Sequence, residues 1–413
     1  RDTDRSRGLG DVYKRQIVAW VIGWDLILEM LMAGSVVSKY WGVYLNQFFE
    51  LIGWNINTNI AIGSFNFDLA PVIIVAFFTA LLVMGTKIGA RVDGALTILK
   101  IAIVVFIVVV GFFYIKAENF TPFIPPSEPA ASTDGSGVSA VMEQPLWQWA
   151  TGMAPSIYGV TGIISGAALV FFAFLGFDVV ATASEETINP KKNVPLGIGV
   201  GLGLIIVLYT LVAIVTTGMV SYKDLAKQSD PSLAVAFKMV GADWAAKIIS
   251  LGIVIGMATV VMVLLLGLTR VVFAMSRDGL LPRGLSHTGK HGTPVRLQII
   301  VGVVMALIAA CCNVGILSDM VNIGTLSAFT LVAISIPIMR KKRPDLERSF
   351  KIPGNPWVPI LIALANLWLM VNLSVLTWIR FVVWLIVGFA IYFGYGYRHA
   401  RLGAGELEVA AQE

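Results

Sequence analysis

The sequence predicts an all-α, polytopic membrane protein, on three observations. Of 413 residues, 57% are hydrophobic and only 13% charged, and the mean hydropathy is +0.82, outside the balance of a water-soluble domain. Apolar runs of about 20 residues, the length that crosses a hydrocarbon core of roughly 30 Å as a helix, recur along nearly the whole chain. Irregular backbone cannot face lipid, so helices are the form those runs take.

In chain order, residues 1–16, RDTDRSRGLGDVYKRQ, mix basic side chains with aspartates and stop abruptly at an apolar run. They contain no apolar core of a signal peptide. The string DVYKRQ reads as non-native sequence, so the predicted organisation is 1–16 set aside, 17–402 a transmembrane unit and 403–413 a cytoplasmic tail. Ten spans are expected at about 17–38, 69–85, 95–115, 158–183, 195–220, 246–273, 297–314, 321–339, 357–376 and 378–397. The longest connector, Lys116 to Pro155, is rich in Pro, Ser and Gly and predicts an irregular surface loop. Asp230 followed by Pro231 reads as the N-cap and first-turn proline of a short surface helix.

Alternating sides from span to span collects the basic clusters at 87–91, 191–192, 277–296, 340–351 and 398–401 on one side. The other side receives only scattered residues such as Lys39, Lys116, Lys223 and Arg380. That bias places both ends of the ten-span unit in the cytoplasm, in a plasma (inner) membrane. It also accounts for the net charge of +5 without a nucleic-acid partner, since the cations form no continuous stripe.

Enzyme chemistry finds no footing. Cys311 and Cys312 are adjacent within an apolar run, with neither a disulfide framework nor a metal spacing. His287, His291 and His399 lie in polar segments without a cysteine partner. No nucleophile and base pair, metal site or cofactor motif stands out. The glycines of GIGVGLGL, Gly197 to Gly203, lie inside a span with no preceding strand, so they read as helix-packing residues instead of a phosphate loop.

Ionisable groups inside hydrocarbon are costly and mark candidate sites. Lys100 lies about 9 Å beyond Gly94 at helical rise, within reach of the interface if it faces lipid. Turned inward, its ammonium is either a proton carrier or a fixed charge in the place of a coupled sodium ion. Asp25 and Glu29, four residues apart in GWDLILEM, share one helix face; Glu29, about 18 Å beyond Ile17, is the deeper. It reads equally as a gating residue and as a paired structural carboxylate. In FFAFLGFD, Gly176 sits among aromatics with Asp178 close behind. A glycine there can break a helix and expose backbone N–H and C=O groups to a small zwitterion, or can simply be a packing residue.

With GWDLILE, NFTPFIPP, FFAFLGFDVVATASEETINPKKNVPLGI, TRVVFAMSRDGLLP, IGTLSAF and RPDLERSFKIP in order, the chain resembles the bacterial branch of the cationic amino acid transporter family, within the amino acid, polyamine and organocation superfamily. That resemblance implies a leucine-transporter-type inverted repeat of twelve helices, of which this chain carries helices 3–12, working by alternating access. It implies that Phe172, Ala173, Phe174, Leu175 and Gly176 form the unwound part of helix 6 that receives the substrate amino group. It implies that Lys100, with Glu29 and Asp178, serves coupling or gating. The expected partners are an amino acid, protons and the lipid bilayer, with no cofactor. The expected activity is proton-coupled symport, incomplete without helices 1 and 2. Amino acid exchange and a nontransporting sensor or subunit are the alternatives, and the resemblance names no protein partner.

Overall fold

The structure, a computed structural model, describes residues 2–54, 56, 58–62, 65–85, 90–129, 138–154, 156–176, 188–228, 230–287, 293–342, 344 and 352–399. Each of the ten predicted spans contains a helix. In chain order the elements are α1 (Asp2–Leu51), the hairpin β1 (Asn59–Ile62) and β2 (Phe65–Asp68), α2 (Leu69–Val83) and α3 (Ala90–Phe112). Two short loop helices follow, α4 (Val138–Glu143) and α5 (Leu146–Thr151), then α6 (Gly159–Val170) and α7 (Pro190–Met219). Next come the short α8 (Tyr222–Ala226) and α9 (Leu233–Met239), then α10 (Asp243–Arg277), α11 (Val295–Cys311), α12 (Val314–Lys342), α13 (Trp357–Val371) and α14 (Val375–Ile391). Among the described residues, six helical segments are long and apolar enough to cross a membrane: Gln16–Leu51, Gly94–Phe112, Pro190–Met219, Asp243–Arg277, Val314–Lys342 and Val375–Gly396. Four apolar helices are shorter: Leu69–Val83, Gly159–Phe174, Val295–Cys311 and Trp357–Val371.

Large apolar side chains cover the outside as densely as the inside. Leu196, Val200, Leu204 and Val207 on α7, Ile98, Val105 and Val109 on α3, and Val383 and Ile386 on α14 are all exposed. Buried instead are polar groups such as Asp25, Glu29, Ser35, Gln298, Asn322 and Thr325. Water would drive such surfaces together; a bilayer solvates them, and the polar residues turn inward, several of them onto backbone carbonyls. The fold is that of a multi-pass membrane protein.

The centre of the bundle is α1. Trp20, Trp24, Ile27 and Leu31 recur at helical spacing and are buried, with Leu28 and Val36 fully enclosed on other faces. Around it pack α10, α12, α11 and α2. Trp24 stacks between Trp20 and Trp384, at ring-centroid separations of 5.6 and 4.4 Å, and its indole N–H donates to the Trp384 carbonyl at 3.0 Å. Gly388 is what lets α14 come that close: a Cβ there would stand 2.4 Å from Trp24 Nε1. Any larger residue at 388 would separate the two helices.

Connectors gather at two opposite ends, as alternating spans require. At one end the Lys116 amide donates to the Gly218 carbonyl at 2.9 Å, Lys238 pairs with Glu50 at 2.9 Å, and Pro145 bridges to Ser374. At the other, Gln16 donates to the Gly396 carbonyl and Arg283 to that of His399, both at 3.4 Å.

Three local expectations change. The backbone of α1 is helical upstream of Ile17, back to Asp2, so the apolar run understates this helix. The cap of α9 is Ser232, whose side chain accepts from the Val235 amide, instead of Asp230. A serine hydroxyl two residues later reaches the free N–H groups of that first turn, while the Asp230 carbonyl accepts from Gln47. Finally, Gly197, Gly199, Gly201 and Gly203 meet nothing within 4 Å at their Cβ positions, so no described helix packs on them.

Candidate functional site

The feature that sets one helix apart from the rest is the end of α6. Its α-helical bonding stops at Val170, tightens into a 3₁₀ turn over Phe171–Phe174, and gives way to extended backbone at Leu175 (φ −67°, ψ 150°). Gly176 follows at φ +113°, a conformation closed to L side chains, so glycine is the residue the chain needs there. Alanine and leucine favour helix and would carry it on; the glycine stops it among half-buried aromatic residues. A helix ending inside an apolar bundle leaves backbone groups that need partners.

Neighbouring helices supply some of them. Tyr209 of α7 donates its hydroxyl to the Ala173 carbonyl at 2.9 Å, and its ring meets Phe174 edge-on at 5.4 Å. Asn322 of α12, itself fully buried, donates to the Leu169 carbonyl at 3.1 Å. Phe171 meets Phe329 edge-on at 6.1 Å, and the Phe172 carbonyl accepts from the Leu175 amide. Of the five residues expected at the break, Ala173 and Phe174 are thus held by α7, while α12 holds Leu169 and Phe171 just before them. A hydroxyl or amide aimed at a carbonyl can hold it in place and leave its second lone pair for a ligand. Asp178, expected beside this turn, lies outside the described residues.

Lys100 projects from α3 toward α10. Its Cγ, Cδ and Cε lie 3.2, 3.9 and 3.7 Å from where a Cβ on Gly256 would stand, and the side chain is half-buried. The stem therefore runs across a bare glycine of the neighbouring helix. Glu29 is 3% exposed on α1 and Asp25 fully buried. Asp25 Oδ2 accepts from the Ser327 hydroxyl of α12, so this carboxyl ties α1 to the helix that also holds the break. Tyr209, Asn322 and Ser327 are additions to the residues expected from sequence; each acts on a group distant along the chain.

Losing the Tyr209 hydroxyl isolates its contribution. In a Tyr209→Phe chain the ring still packs on Phe174, and about 1 kcal/mol of hydrogen bonding is removed. The expected outcome is an unchanged amount of membrane-inserted protein that melts about 2 °C lower, which a thermal-unfolding assay in detergent checks.

Comparison with known proteins places this geometry in a family. The profile of the amino acid permease family matches residues 12–394. The branched-chain amino acid permease of Bacillus subtilis is 39% identical over 397 residues, covering 94% of this chain and 78% of that protein. The methylthioribose transporter of the same organism is 38% identical over 395 residues, with the same coverage. In Arabidopsis thaliana, cationic amino acid transporter 3, mitochondrial, is 34% identical over 80% of this chain, which spans half of that protein's length. A bundle that turns polar groups inward, with one apolar helix interrupted before a glycine, is thereby joined to a match over nearly the entire chain: the protein belongs to the amino acid permease family.

Proposed function

We propose that the chain carries an amino acid with an apolar side chain across the plasma membrane, together with a proton, by alternating access around the α6 break. The observation that carries this reading is the break itself: a helix that unwinds at Phe171–Gly176 within a chain matched to amino acid permeases from residue 12 to 394. Backbone carbonyls can receive an ammonium without a charged side chain, and the residues offering them, Phe172 to Leu175, are all apolar. The similarity to a branched-chain amino acid permease supports leucine, isoleucine or valine over a dibasic substrate. Lys100 is the coupling residue in this scheme, with Glu29 and Asp178 as gating residues. The excess of basic residues at the end of the bundle holding Arg283 and Arg340 supports a cytoplasmic position for that end.

Uptake of radiolabelled leucine by vesicles containing the chain, with an inward proton gradient imposed, tests the reading. Saturable uptake that a protonophore collapses is expected; leucine uptake indifferent to the gradient would replace symport by exchange. A second reading follows from the methylthioribose transporter, which is 38% identical over the same share of the chain. Under it, methylthioribose is taken up and leucine does not compete.

A further inference from the structure

From Leu51, where α1 ends, the chain returns to α2 through residues 51–68, of which only Asp68 is ionisable. Other connectors at that end of the bundle are built for water: residues 221–243 carry Lys223, Asp224, Lys227, Asp230, Lys238 and Asp243. Residues 51–67 instead mix asparagine, threonine and serine with isoleucine, phenylalanine and tryptophan. Ile52, Trp54, Ile56 and Ile60 are exposed, Trp54 to 63%, and the Trp54 ring stacks on Phe49 at 5.9 Å.

The segment is pinned to three helices. β1 and β2 pair from Asn59 opposite Asp68 to Ile62 opposite Phe65, and the Leu69 amide extends the ladder to the Thr58 carbonyl at 2.9 Å. Asn46 of α1 donates to the Thr58 hydroxyl at 2.9 Å. Asp68 accepts from that hydroxyl and from the Ala70 amide, which caps α2. β2 also packs on α11. The helices it meets are short: α2 has 15 residues and α11 has 17, about 22 and 25 Å at helical rise. A hydrocarbon core of roughly 30 Å exceeds both. On α2 the exposed stripe Leu69, Ile73 and Phe77, one residue per turn, leads up to the hairpin.

A lipid-facing stripe on a helix shorter than the bilayer is continued by the chain that precedes it. We infer that the β1–β2 hairpin, together with Ile52, Trp54 and Ile56, is an interfacial anchor. It lies in the headgroup layer of the leaflet at this end, its exposed apolar side chains entering the acyl boundary and its asparagines meeting headgroups and water. Two opposing effects set its depth. The outer edges of a two-stranded sheet carry backbone groups that hydrocarbon does not satisfy. Exposed isoleucine and tryptophan, in turn, hold it back from water, and tryptophan is at home at such a boundary. With no cation in residues 51–68 the attraction is apolar, so the partner is the lipid surface itself and not an anionic headgroup. Through this anchor α1, α2 and α11 are held at one level in the membrane.

Fluorescence of the full chain in phosphatidylcholine vesicles tests the inference. With Cys311→Ala and Cys312→Ala in place, an environment-sensitive probe is attached through Ile56→Cys or Ile60→Cys. Lys227→Cys provides the reference in water, since that side chain is 74% exposed. Probes at 56 and 60 are expected to lose quenching by iodide supplied on both sides. They should be quenched more by a nitroxide near the lipid glycerol than by one near the acyl-chain end, as for a group about 5–10 Å into the headgroup and acyl boundary. The probe at 227 should show full iodide quenching, and added phosphatidylglycerol should change neither result. A second measurement uses the unmodified chain, so the inference does not depend on the variants folding: a lipid carrying a diazirine close to its glycerol, photoactivated, is expected to label residues 51–60. Iodide quenching at 56 and 60 equal to that at 227 would overturn the anchor, as would probes that neither iodide nor nitroxide reaches because protein covers them. Absence of lipid label from residues 51–60 would overturn it equally.

Discussion

A Lys100→Met chain is expected to lose leucine accumulation driven by a proton gradient, by roughly tenfold or more, while leucine–leucine exchange across the same membrane persists. Methionine keeps a flexible apolar stem to lie over Gly256 and removes only the charged end. Lys100 is the sole ionisable residue between Gly94 and Phe112, so no other side chain within that apolar stretch can take over. An ion inside a bundle is retained against a cost of several kcal/mol and is replaced by an apolar group without penalty to packing; what disappears is the coupling. Lys100→Arg separates two ways of coupling. Arginine keeps its positive charge and does not release a proton. If the charge acts as a stand-in ion, accumulation survives in the arginine variant; if the amine carries the proton, accumulation is lost with arginine as with methionine. Parallel assays of gradient-driven uptake and of counterflow, on vesicles matched for protein content, give the answer.

Substituting Gly176 has the second large effect. At φ +113° an alanine costs about 1–3 kcal/mol of backbone strain, which the chain relieves by shifting the turn. Leu175 and the carbonyls of the 3₁₀ turn then move relative to Tyr209 and Asn322, and a misplacement of that kind removes substrate binding. Gly176→Ala is therefore expected to reach the membrane in ordinary amounts and to bring leucine uptake down to background. Gly197→Ala is the control: its Cβ meets nothing within 4 Å and its backbone is helical, so alanine there is neutral or slightly stabilising. Equal loss of uptake in the two variants would refute the special role of the break.

How much of this was legible beforehand depends on the range of the physics involved. Ten apolar runs correspond to ten helices because burial in lipid acts on every residue of a span at once. Boundaries were less legible: α1 continues to Leu51 and α10 begins at Asp243, since helix ends are marked only by weak local cap signals. The β1–β2 hairpin is only four residues per strand, too short to stand out among long apolar runs. The turn at Gly176 was only half legible, because a glycine in a span answers a backbone requirement and close packing equally well. Tyr209 and Asn322 were not, since their acceptors are carbonyls 36 and 153 residues away and no local pattern marks such a bond. Lys100 stood between two readings in the sequence, and the bare Gly256 opposite its stem is tertiary information that no local pattern carries. The bond from the Thr377 hydroxyl to Asp319 likewise joins α14 to α12 and exists only in the folded chain.

The proposed carrier takes its substrate on the backbone of a broken helix and ties its passage to protons through Lys100. Simultaneous recording of labelled leucine entry and proton movement, in sealed vesicles containing the unmodified chain and at zero membrane potential, tests that most directly. The account predicts that adding leucine outside moves protons inward in step with it, and that both fluxes vanish in Lys100→Met. Leucine entering at full rate with no accompanying proton movement would contradict it.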